Sequence, residues 1–316
     1  MSKVYSVALQ EQVSRFLTEK GLSQAKAAPL FGVSQTALSQ GRRNMYDNGN
    51  IEEVEAKIEE FLGTQAEKDA TTEKALPFQP VLGYIPTSIS EDVVKLIRYC
   101  QLERGMVVIH GDAGIGKTKG AQRFVRENPA NSIYIQATPS SGTLNSILKL
   151  LARALKVPAS RSNLDLMLDI REKLEGTSRV IIIDEAQHLK PSALEELRTL
   201  SDPNVLTDQP GTGVALIGNT EVYSRMVGRQ EARFAQLFSR IRMNRHFNTR
   251  SVRTDDMRQL FPLLAKQETE FLLGISRSKW GIRGAVNVYN NAVNNEDIGY
   301  DGLYAMARSM GIGIAV

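Results

Sequence analysis

An apolar run, Val107-Val108-Ile109, leads through His110 into Gly111-Asp112-Ala113-Gly114-Ile115-Gly116-Lys117-Thr118, and this stretch constrains the fold more than any other. A short strand, then GxxxxGK[ST], then a helical pattern is the signature of a phosphate-binding loop. Its glycines let backbone N–H groups close around phosphates. Lys117 can reach the β and γ phosphates of a nucleotide, and the Thr118 hydroxyl can ligate Mg²⁺. A helix opening at Gly116 adds the positive end of its dipole to the anion site. Gly111 to Thr118 are therefore the expected nucleotide contacts. A glycine-rich turn after a strand can also be mere connection, so other parts of the chain must decide.

Further on, Arg179-Val180-Ile181-Ile182-Ile183-Asp184-Glu185 is an apolar, β-branched run ending in two carboxylates. A buried strand would deliver Asp184 to the mouth of a sheet, where with Thr118 it can hold a Mg²⁺ water shell. Glu185 beside it can polarise an attacking water. A third run, Val214-Ala215-Leu216-Ile217-Gly218, ends at Asn219, a neutral polar side chain able to orient water against a γ phosphate. Leu237-Phe238-Ser239-Arg240-Ile241 puts an arginine at the end of a helical pattern, and Gly281-Ile282-Arg283-Gly284-Ala285 puts one at the start of another.

With these motifs the chain resembles the AAA+ ATPases. The resemblance implies that Asn219 is sensor 1, Arg283 is sensor 2, and Arg240 is the finger given to a neighbouring subunit; Arg233 and Arg242 compete for that last role. With Lys117, Asp184 and Glu185 these form the expected catalytic set for ATP hydrolysis with Mg²⁺. Strands and helices alternate from Thr87 to about Asn248, which predicts an α/β fold with a parallel sheet covered on both faces. The resemblance adds the strand order 5-1-4-3-2 and a C-terminal helical lid.

The 316 residues, 42% hydrophobic, leave room for this domain and a smaller one. No segment approaches the roughly 18 to 20 consecutive apolar residues of a membrane helix, and the N-terminus does not read as a signal peptide, so a cytoplasmic protein is expected. A single cysteine, Cys100, excludes an internal disulfide, and with three histidines a metal cluster is not expected.

Residues 1–62 read as a small all-α unit. Leu22 to Gln40 carries a Gly-Val-Ser turn between two helical patterns and resembles a repressor-type helix-turn-helix. Ser34 would cap the second helix; Gln35, Thr36 and Ser39 would face a major groove, with Arg42 and Arg43 on phosphates. Residues 63–86 read as a linker and extended lead-in, flexible from 63 to 74 where alanine is the only apolar residue. Residues 87–250 are the expected ATPase core and 251–316 the lid.

Taken together, the nucleotide motifs and the helix-turn-helix ahead of them resemble the transposition ATPases of phages and transposons. That resemblance implies an ATP-bound helical filament on double-stranded DNA, without sequence preference, that delivers target DNA to a transposase and stimulates strand transfer. Hydrolysis would disassemble it. Lys149, Arg153, Lys156 and Arg161 are candidate DNA contacts of the core, and the arginine-rich stretch from Arg225 to Arg258 a candidate subunit interface. A helicase-loader-like ATPase and a non-hydrolysing, ATP-switched DNA scaffold are the alternatives; Glu185 argues against the second.

Overall fold

The computed structural model describes residues 7–19, 21–42, 50–74, 81, 83–159, 162–204, 208–227 and 240–313. The chain divides into two units, Met1–Gln79 and Pro80–Val316.

The first unit contains α1 (Val7–Glu19), α2 (Gln24–Ala27), α3 (Gln35–Arg42) and α4 (Ile51–Lys74). Leu9, Val13 and Leu17 of α1 pack with Ala27, Phe31, Leu38 and Ile58 in its core. Phe16, Phe31 and Phe61 form a ring cluster with centroids 5.1 to 5.7 Å apart. Ser34 Oγ accepts from the Ala37 N–H at 3.1 Å and so caps α3. Residues 63–74 are not a flexible linker but the continuation of α4, which runs unbroken to Lys74. Their alanines, glutamates and lysines are good helix formers, and propensity carries the helix past Gly63 without an apolar stripe.

The second unit is built on β1 (Met106–Gly111), β2 (Ser132–Gln136), β3 (Val180–Asp184), β4 (Gly213–Gly218) and β5 (Ile241–Phe247). They form one parallel sheet in the order β2-β3-β4-β1-β5, the 5-1-4-3-2 order expected. Every residue of β1, β3 and β4 is buried. Both faces of these central strands are covered, which is why they read as unbroken apolar runs. One face packs on α5 (Ser88–Glu103) and α6 (Lys117–Glu127). The other carries the larger core, with Leu148 and Leu151 of α7 (Leu144–Ala154), Leu166 and Ile170 of α8 (Asn163–Leu174), and Leu194 and Leu197 of α9 (Pro191–Ser201). A short helix α10 (Thr220–Val227) follows β4. The helix expected from Glu231 lies outside the described residues.

The chain ends in α11 (Thr254–Leu260), α12 (Lys266–Arg277), α13 (Gly281–Asn294) and α14 (Tyr300–Ser309). Met257, Phe261, Leu272, Ala285, Val288 and Leu303 supply apolar side chains buried among them. Among the described residues no helix is long and apolar enough to cross a membrane.

Candidate active site

The phosphate loop emerges at the carboxyl end of β1, beside β5. Gly111 has φ +136°, and a Cβ there would lie 1.7 Å from the Phe247 carbonyl oxygen, so only glycine fits between the two strands. Lys117 is 9% exposed and folds its ammonium back onto the loop, donating to the carbonyls of Gly111, at 3.0 Å, and Asp112. Burial pulls its pKa below the usual lysine range, against the pull of Asp184, Glu185 and Asp112.

Gly111 and Ala113 to Thr118 line a cavity of about 460 Å³. Asp112 does not, although it was expected among the nucleotide contacts. Its N–H donates to the Phe247 carbonyl at 3.0 Å, and its Oδ2 accepts from the Thr249 N–H at 2.7 Å. Both groups are committed to holding the end of β5 against the loop.

The opposite wall carries Asp184, Glu185 and Asn219. Asp184, at the end of β3, is 1% exposed; its Oδ2 accepts from the Tyr134 hydroxyl at 2.8 Å and its Oδ1 from the Glu185 N–H at 2.9 Å. Burial, and then the charge of Asp184, push the Tyr134 hydroxyl pKa above its usual range, so it stays a donor. Glu185 turns with φ +55°, and the Gln187 side-chain amide donates to its carboxylate. The Gln187 Oε1 accepts from the Asn219 N–H at 3.3 Å, so one glutamine ties Glu185 to Asn219. Asn219 Oδ1 accepts from the Glu221 N–H at 2.9 Å and caps α10. Tyr134 and Gln187 were not anticipated from sequence: only strand register brings Tyr134 beside β3, and only the turn after Glu185 brings Gln187 back. Ile282, Arg283 and Val286 of α13 close the cavity, with Leu260 and Ile85 adding apolar surface suited to a nucleobase.

Arg240 is not part of this cluster. The Met106 N–H donates to its carbonyl at 3.4 Å, which puts it at the amino ends of β1 and β5. The phosphate loop is at the other end, roughly 17 Å away at the ordinary rise of a strand. Its guanidinium pairs with Asp202 at 2.8 Å; Arg242 lies 3.8 Å from Glu103; Arg233 is outside the described residues. In the first unit Gln35 and Thr36 are exposed and Ser39 is half-buried. Arg42 ends α3, and Arg43 lies outside the described residues. Lys149 and Arg153 stand one turn apart on α7, with exposed Lys156 just beyond it; Arg161 lies outside the described residues.

Residues 100–226, from the end of α5 through α10, match the family described as AAA domain. The Mu-like prophage FluMu DNA transposition protein B of Haemophilus influenzae is 31% identical over 288 residues, covering 90% of this chain and 96% of that protein. The chain belongs to the transposition protein B family. The ATP-dependent target DNA activator B of Escherichia phage Mu is 29% identical over 263 residues, covering 82% of this chain and 80% of that one. Among solved structures, Cdc6p from Pyrobaculum aerophilum, at 14% identity with a TM-score of 0.54 over 78% of this chain and 72% of its own, shares the fold.

As a member of the transposition protein B family with an AAA domain and this sheet, the chain is an AAA+ ATPase that takes part in ATP-dependent transposition. The cavity suits a magnesium nucleotide. Asp184 is a nearly inaccessible carboxylate that still lines it, and Thr118 supplies a hydroxyl opposite. Such all-oxygen donors suit a hard cation whose remaining ligands are phosphate oxygens and water.

Proposed function

We propose that this chain binds ATP with Mg²⁺ in the cavity and in that state assembles as a helical filament on double-stranded DNA without sequence preference. The filament presents its DNA to a transposase as target and stimulates strand transfer; hydrolysis releases it. The observation that carries this reading is the division of charged groups between the two ends of one sheet. Lys117, Asp184 and Glu185 stand at the carboxyl end and Arg240 at the amino end, too far to serve its own cavity. A site that needs Arg240 is completed by a second copy, which ties hydrolysis to assembly. The name of the phage Mu relative, an ATP-dependent target DNA activator, supports both the nucleotide and the DNA.

In this site the N–H groups of the loop and Lys117 hold the β and γ phosphates. Thr118 and Asp184 would hold Mg²⁺, which neutralises charge on the phosphate oxygens when bound. Glu185 takes a proton from the attacking water and Asn219 orients it; ADP and phosphate leave. Arg283 reports the γ phosphate to the lid. Gln35, Thr36, Ser39, Arg42 and Arg43 of the first unit, and Lys149, Arg153, Lys156 and Arg161 of the second, supply DNA contacts, and the work belongs in the bacterial cytoplasm.

Cosedimentation with random-sequence duplex tests this reading. Binding should require ATP, be lost with ADP, and fall with salt at a logarithmic slope of roughly −0.9 per phosphate contact. Equal binding with ATP, with ADP and without nucleotide would rule out an ATP-gated assembly.

A further inference from the structure

Arg240 is bound to a second, deeper charged group. Its side chain is 54% exposed, and its Nε lies 2.8 Å from Oδ1 of Asp202, an ion pair of charges in contact and not a hydrogen bond, since that buried oxygen accepts none. The other oxygen of Asp202 accepts from Arg198 Nη1 at 2.7 Å. Arg198, only 16% exposed, donates in turn from Nε to Glu195 at 3.1 Å. One carboxylate thus bridges a guanidinium packed into the body of the domain and one at its surface.

The position of Asp202 is itself fixed. It caps the carboxyl end of α9, whose last turn is pinned to the entry of β4 by the Thr212 N–H donating to the Leu200 carbonyl at 2.8 Å. Gly211 approaches so closely that a Cβ there would stand 2.2 Å from the Ser201 carbonyl oxygen. The same helix begins at Pro191, shortly after the turn carrying Glu185.

We propose that Asp202, held by Arg198, is the positioning residue for Arg240, fixing the guanidinium that one subunit gives to the ATP site of the next. This rests on the reading of Arg240 as an arginine acting in trans. Contact through Nε leaves the two terminal nitrogens to fork a phosphate, whereas a partner that occupied the terminal nitrogens would compete with the phosphate for them. A free arginine loses rotamer freedom when it docks; one already held by an ion pair beside Nε has lost part of it. The arrangement therefore raises turnover in the neighbouring site and leaves the subunit's own affinity for ATP alone.

The test is steady-state ATPase on saturating duplex DNA with Arg240→Ala and Asp202→Asn, each alone and each mixed with Glu185→Gln subunits. The Glu185→Gln partner hydrolyses nothing itself but carries an intact Asp202–Arg240 pair. Asp202→Asn should lower kcat between about ten- and a hundredfold, the usual penalty for a misplaced catalytic group. Its affinity for a fluorescent ATP analogue should match wild type, and Glu185→Gln subunits should restore its turnover. If Arg240→Ala keeps wild-type turnover, or is not rescued in the mixture, the reading of Arg240 in trans falls, and this inference with it. If Arg240→Ala is impaired and rescued while Asp202→Asn turns over normally, only the inference about Asp202 is overturned. An Asp202→Asn defect that mixing does not rescue would make Asp202 a folding residue and overturn it equally.

Discussion

The backbone N–H of Arg283 donates to the carbonyl of Gly114 at 3.0 Å, so the first turn of α13 rests directly on the phosphate loop. The approach depends on Gly281, which has φ +62° and whose Cβ, if present, would lie 2.8 Å from the Ala113 carbonyl oxygen. Lid and loop are therefore in direct backbone contact beside the cavity.

Gly281→Ala should lift α13 off the loop. A left-handed backbone on a non-glycine residue costs about 1–3 kcal/mol, and the clash adds to it. ATP affinity should fall by roughly tenfold, since 1.4 kcal/mol is a factor of ten. Nucleotide titration by calorimetry checks this; wild-type affinity would mean the contact does not bear on binding.

Tyr134 is the one hydroxyl on Asp184 among the described residues. Tyr134→Phe keeps the ring and removes that donor, leaving the carboxylate less firmly oriented. Loss of such a supporting partner typically weakens metal binding by about 10- to 100-fold. The Mg²⁺ concentration for half-maximal ATPase should rise accordingly, with little change in thermal stability.

Lys117 gives ATP binding a pH dependence of defined sign. In the free chain burial lowers its pKa, and a triphosphate favours the protonated ammonium, so the bound-state pKa is the higher of the two. Affinity is full below the free-state pKa and declines as pH rises through it. Calorimetry in alkaline buffers of different ionisation enthalpy should detect proton uptake on ATP binding, and Lys117→Gln should abolish it.

His110 makes the opposite contribution, to stability. It is 3% exposed, stacks on Tyr223 with centroids 4.9 Å apart, and lies 5.0 Å from the His246 ring. Burial first, and then the charge of His246, hold its pKa below 6.5. As pH falls through the ordinary histidine range the unfolded chain takes up a proton that the folded chain refuses, so stability is lost toward acid. His110→Phe keeps a flat ring in the stack. Between about pH 7 and 5, Tm should fall less steeply for that variant than for wild type.

The central sheet was legible because β1, β3 and β4 are buried on both faces, and burial on both faces writes itself as an apolar run ending where chemistry begins. Gly111, Lys117, Asp184, Glu185 and Asn219 could be located for the same reason: each stands at the end of such a run or just past it. Residues 63–74 misled because a helix held by propensity leaves no apolar stripe. Helix α10 was hidden behind Asn219, which both ends a strand and caps a helix. Tyr134 and Gln187 depend on register and on a left-handed turn, and the withdrawal of Asp112 on the approach of β5. None of these leaves a local pattern. Surface arginines are the least legible, since position on the sheet, and not spacing, separates Arg240 from its neighbours.

Electron microscopy of the protein on a long random-sequence duplex, with ATP, with ADP, and as Glu185→Gln with ATP, tests the central claim most directly. Filaments should form with ATP, be absent with ADP, and persist in the Glu185→Gln variant, whose hydrolysis should fall by about 10²- to 10⁴-fold. Discrete rings, or no association with DNA in any nucleotide state, would contradict an ATP-dependent filament and favour a helicase-loader-like ATPase instead.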